Sequence, residues 1–68
     1  MDYAVATAEL EKARLNYEYY RGHYQRLLES NGYAEGSYSL DELAKAELDM
    51  RLSEQDVVIA KAKLDAAD

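Results

Sequence analysis

From Tyr3 to Leu27 the apolar, aromatic and small residues advance by three and four places in strict alternation. The series is Tyr3, Ala6, Leu10, Ala13, Tyr17, Tyr20, Tyr24 and Leu27. It resumes as Leu43, Ala46, Met50, Ser53, Val57, Ala60, Leu64 and Ala67. A heptad seam without a stutter keeps one stripe of a helix facing a partner, and the alternation of three and four is the periodicity of a left-handed coiled coil. The sequence therefore predicts an all-α chain of two helices, about 3–30 and 39–67, around a tip loop at about residues 31–38.

A connection this short makes the two helices antiparallel. Folding the chain about residue 35 sets Leu27 opposite Leu43, Tyr24 opposite Ala46, Tyr20 opposite Met50 and Tyr17 opposite Ser53. The remaining layers are Ala13 with Val57, Leu10 with Ala60, Ala6 with Leu64 and Tyr3 with Ala67. Most layers set a large side chain against a small one, which fills a two-helix seam without voids or clashes. The flanking positions agree with this register, pairing Arg14 with Glu54, Arg21 with Glu47, Glu9 with Lys63 and His23 with Asp49. Exposed pairs of this kind are each worth only tenths of a kcal/mol, but together they select orientation. The expected fold is a two-helix antiparallel coiled-coil hairpin, a rod whose helices of roughly 28 residues run about 42 Å at 1.5 Å per residue.

The punctuation fits. Ser39-Leu-Asp-Glu42 reads as a capping box opening the second helix, with Tyr38 and Leu43 at the spacing of a hydrophobic staple. Asn31-Gly32 reads as the C-cap of the first, since glycine tolerates a left-handed conformation.

Composition bounds what such a rod can do. At 68 residues, rich in Ala, Leu, Glu, Lys and Arg and without proline or tryptophan, the chain has the makeup of long helices and too little length for a deep core. A net charge of −6 with no basic block disfavours a nucleic-acid surface, and with it an arm that grips RNA. Without cysteine there is neither disulfide nor thiolate chemistry. The stretch Val57-Val58-Ile59-Ala60 is far too short to span a bilayer.

No catalytic constellation stands out. His23 is the single histidine, and Tyr20 occupies the place where a Glu-x-x-His metal motif needs its carboxylate. The serines at 30, 37, 39 and 53 have no base beside them. The expectation is a protein that is not an enzyme and holds neither cofactor nor metal.

Two features fall outside the seam. The second helix carries a stripe on its back, Leu48, Leu52, Ile59, Ala62 and Ala66, interrupted by Gln55, and heptad-spaced Leu and Ile facing away from the partner mark an oligomer-packing surface. A weaker stripe on the first helix is Val5, Ala8, Leu15 and Tyr19. The tip has Leu27, Asn31, Tyr33, Glu35, Ser37 and Ser39 as candidate partner-binding residues, Tyr33 foremost because an amphipathic ring suits a contact surface. Gly22, on the outer face, costs about 1 kcal/mol relative to alanine.

The segments "LEKARLNYEYYRGHYQRLL" and "SLDELAKAELDMRLSEQDVVIAKAKLDAA" together resemble the helical hairpin of HlyD-type membrane fusion proteins, the periplasmic adaptors of bacterial efflux pumps and type I secretion systems. The resemblance spans nearly the whole chain and rests on Tyr24-x-x-Leu-Leu28, Ser39-x-x-Glu-Leu43 and Ala60-Lys-Ala-x-Leu64. It implies a fragment of a larger periplasmic adaptor anchored at the inner membrane. The implied partners are an inner-membrane transporter through the rest of the parent, neighbouring hairpins along the rod, and an outer-membrane channel at the tip. The family's Arg, Leu, Ser tip motif is only partly kept, because Leu27 matches while His23 and Ala34 stand where arginine and serine are expected. A self-associating hairpin, acting as a scaffold or a regulatory four-helix-bundle dimer, accounts for the same residues.

Overall fold

A computed structural model describes residues 2–33 and 38–67, with 32 and 33 followed along the backbone only. Two helices, α1 (Tyr3–Tyr33) and α2 (Leu40–Asp65), lie side by side as an antiparallel hairpin. The molecule measures 51 × 15 × 11 Å, so the expected rod is what forms. Both helices are long for the same reason, an interior of strong helix formers with no proline to interrupt the ladder.

Both helices start on a short polar side chain that caps them. Asp2 opens α1, its Oδ1 accepting from the amide of Ala4 at 3.1 Å and its carbonyl from Ala6 at 2.9 Å. Ser39 opens α2 in an extended conformation (φ −70°, ψ 160°), its Oγ accepting from the amide of Glu42 at 3.0 Å. Asp41 and Glu42 in that first turn complement the positive end of the helix dipole, and Lys63 in the last turn complements the negative end. Ala66 closes α2 by donating to the carbonyl of Ala62 at 3.1 Å.

The seam follows the expected register. Ala6, Leu10 and Ala13 of α1 and Ala46, Ser53 and Ala60 of α2 are buried, and all six are seam positions. Tyr17, Tyr20, Tyr24, Leu27, Leu43, Met50, Val57, Leu64 and Ala67 are half-buried. In the layers pairing alanine or serine with a tyrosine, valine or leucine, the small residue is sealed and the large one lies over it. Two layers depart from this: Tyr3 and Ala67 leave the small residue only half-buried, and Leu10 is sealed together with Ala60 in a cluster that Val57 and Leu64 complete. Burying a leucine this fully contributes roughly 1.5–3 kcal/mol. Among the described residues no large side chain is completely buried, as expected for a core one layer deep.

Three expectations are corrected. Tyr3 is 59% exposed and does not close a layer with Ala67, because α2 ends at Asp65 and offers no helical turn opposite it. Asn31 and Gly32 do not cap α1 but lie within it, and the helix runs on to Tyr33. Asn31 Oδ1 instead accepts from the amide of Tyr38 at 3.3 Å, a bond across the loop. The flanking charges do not bond across the seam. Glu47 Oε1 accepts from Arg51 at 2.7 Å and Asp49 Oδ2 from Lys45 at 2.9 Å, both pairs four residues apart on α2. Residues four apart on a helix are surface neighbours, and here each carboxylate takes the cation one turn along its own helix. The register itself holds, for Glu9 and Lys63 line one groove between the helices and His23 and Asp49 another.

Candidate functional site: the tip and the outer face of the rod

A thin hairpin has no interior in which to build a pocket, and two hollows among the described residues are open grooves along the seam. Among the described residues no three His, Cys, Asp or Glu side chains gather where a metal could bind. No buried side-chain polar atom among them lacks a partner, and Ser53, the one buried polar residue, donates its hydroxyl to the carbonyl of Met50 at 2.7 Å. Polar chemistry in the seam is thus satisfied locally. No helix among the described residues is long and apolar enough to cross a membrane.

At the tip the structure assigns structural tasks to several residues expected to meet a partner. Leu27 is half-buried and lines the last groove before the loop together with Tyr38, His23 and Ala46. Asn31 is tied to Tyr38, and Ser39 is occupied as the cap of α2. Tyr33 ends α1. Glu35 and Ser37 lie outside the described residues. The tip is therefore anchored on both sides, by the Asn31 bond and by the α2 cap.

The outer face of α2 is as bare as its spacing predicts. Leu48, Leu52 and Ile59 are each more than half exposed, at 54%, 55% and 53%, and Ala62 and Ala66 are exposed beyond them. Val58 borders the stripe and is exposed as well. On α1 Val5, Leu15 and Tyr19 are exposed in the same way. Around Gly22 a methyl group would meet nothing but the Arg26 guanidinium, 3.1 Å away, so no close approach within the hairpin requires the glycine.

Features the seam reading did not foresee lie on the flanks. Tyr19 meets Tyr20 edge-to-face at 5.2 Å, and His23 stacks parallel to Tyr19 with ring centroids 6.4 Å apart. Residues one and four apart on a helix made these contacts legible in principle, but Tyr19 and Tyr20 were assigned to different faces. Lys45 has its pKa raised above the ordinary lysine value, first by its hydrogen bond to Asp49, then by that carboxylate's charge, with a smaller push from Tyr20.

No family model, curated protein or solved structure matches the chain.

Proposed function

We propose that the chain is the α-hairpin of a periplasmic adaptor, a non-catalytic spacer in a bacterial efflux pump or type I secretion system. The observation that carries the reading is the shape. A rod 51 Å long and 15 Å wide, with its ends capped and its seam self-satisfied, is suited to spanning a distance. The sequence resemblance supplies the setting, in which the parent is anchored at the inner membrane, Tyr33 and its neighbours meet an outer-membrane channel, and neighbouring rods pack along the outer stripe. Photo-crosslinking from position 33 of the full-length parent in cells tests it. Capture of an outer-membrane channel is the expected result. Crosslinks confined to copies of the same protein would overturn the channel role.

The bare stripe on α2 favours a second reading, a self-associating hairpin that acts as a scaffold or regulatory bundle. A core of alanines, one leucine and one serine is thin for 68 residues. Covering Leu48, Leu52 and Ile59 adds the burial that the single seam lacks.

A further inference from the structure

The outer stripe of α2 is a second heptad seam, and its sequence is complementary to itself when reversed. With Gln55 included, Leu48, Leu52, Gln55, Ile59, Ala62 and Ala66 again advance by four and three in alternation, and all six are exposed, Ile59 also bordering the groove against α1. The large residues lie at the N-terminal end and the small ones at the C-terminal end. A parallel partner would set leucine against leucine at one end and alanine against alanine at the other, crowding one and leaving a void at the other. An antiparallel partner instead sets Leu48 against Ala66 and Leu52 against Ala62, with Gln55 against Ile59 on either side of a two-fold axis. This is the same large-against-small rule that fills the inner seam.

The flanking charges were not used in choosing that register, and they fit it. The positions beside the stripe are Asp49, Asp56 and Lys63 along one edge and Arg51, Val58 and Asp65 along the other. In the antiparallel arrangement each edge meets its own copy reversed. Asp49 then faces Lys63 of the second copy, Arg51 faces Asp65, and both pairs occur twice by symmetry. Val58 meets Val58 at the axis, and Asp56 meets Asp56, the one like-charge contact. Lys63 and Asp65 have no ion-pair partner within the hairpin among the described residues, whereas Asp49 and Arg51 are bonded to Lys45 and Glu47 and would share those partners on association.

We infer that α2 binds α2 of a second copy of this chain through this face, antiparallel and two-fold symmetric, giving a four-helix dimer whose tips point in opposite directions. The inference rests on the scaffold reading. Hairpins that project in the same direction from one membrane cannot adopt this arrangement and would bring α2 against α1 of a neighbour.

The cysteine-free chain makes the test direct. Leu48→Cys and Ala66→Cys chains are prepared separately, mixed and oxidised, with helicity followed by circular dichroism. The mixed disulfide is the expected product. Self-linked Leu48→Cys would show a parallel pair, and a Leu52→Cys chain linking to a Leu15→Cys chain would show α2 on α1; either overturns the proposal. Sedimentation of the unmodified chain should give a dimer, and a monomer throughout the micromolar range would also overturn it. Leu48→Glu with Ile59→Glu should weaken the dimer by at least ~100-fold while leaving the hairpin helical. Asp56→Asn should tighten it several-fold by removing the contact on the axis, and weaker association would count against this register. These measurements use the chain alone and the crosslinking from position 33 uses the parent, so failure of the dimer and failure of the channel contact are read separately.

Discussion

α2 has two apolar faces built on one repeat, and only the inner one is covered within the chain. On the inner face Ala46, Ser53 and Ala60 are sealed beneath the larger residues of α1. On the outer face Leu48, Leu52 and Ile59, which are larger, stand half in water. The side chains with most to gain from burial are thus the ones this hairpin leaves out. Small residues let two helices approach closely and fix their register, whereas the aliphatic bulk on the back adds nothing to the fold until a neighbour arrives. The inner seam specifies the hairpin, and the outer stripe leaves the larger aliphatic area in water.

The largest effect should separate the two faces by a matched substitution. Leu10→Ala removes a side chain that is 6% exposed from the sealed cluster and should cost about 2–5 kcal/mol, enough to unfold a hairpin with so thin a core. Leu52→Ala removes the same atoms from a site that is 55% exposed. At concentrations low enough to suppress association it should change urea stability by less than about 0.5 kcal/mol. Equal losses for the two variants would mean that the outer face is covered in the folded chain after all.

A smaller effect distinguishes the helix ends from both faces. Ser39→Ala takes the acceptor from the amide of Glu42 and should cost about 1 kcal/mol by thermal or urea unfolding. Ser39 lies on neither seam, so the association constant of the folded chain should be unchanged. A variant with weakened association and intact stability would reassign Ser39 from cap to contact.

How far the sequence could be read divides along the same line. The seam was legible because a period of seven over eight layers on each helix leaves one register, and all six sealed residues lie on it. Tyr3 escaped because periodicity continues past the point where the partner helix stops. The cap at Ser39 was legible from the serine and glutamate three residues apart. Asn31-Gly32 misled because asparagine satisfies a side chain in two ways, as a helix terminator or, as here, by reaching across a loop to Tyr38. The charges misled for a related reason. The facing positions were right, with His23 and Asp49 on one groove, but Asp49 takes the lysine one turn away on its own helix. The partner of the tip was carried by resemblance alone, since the residues there that the structure describes act in holding the hairpin together.

The smallest effect concerns that choice of cation and reads it through pH. Lys45 and Asp49 lie 2.9 Å apart on α2, and both border the groove that His23 lines from α1. Because the hydrogen bond to Asp49 raises the lysine's pKa above its ordinary value of 10.5, the folded chain holds this proton more tightly than the unfolded one. The pair's contribution is therefore complete below that ordinary value and is lost as pH rises through the higher folded one. The melting temperatures of the parent chain and Lys45→Met should differ by a small constant from neutral pH to about pH 10 and converge above it. A difference unchanged into strong alkali would show that Lys45 acts by packing its stem, and Asp49 would then be held by another cation.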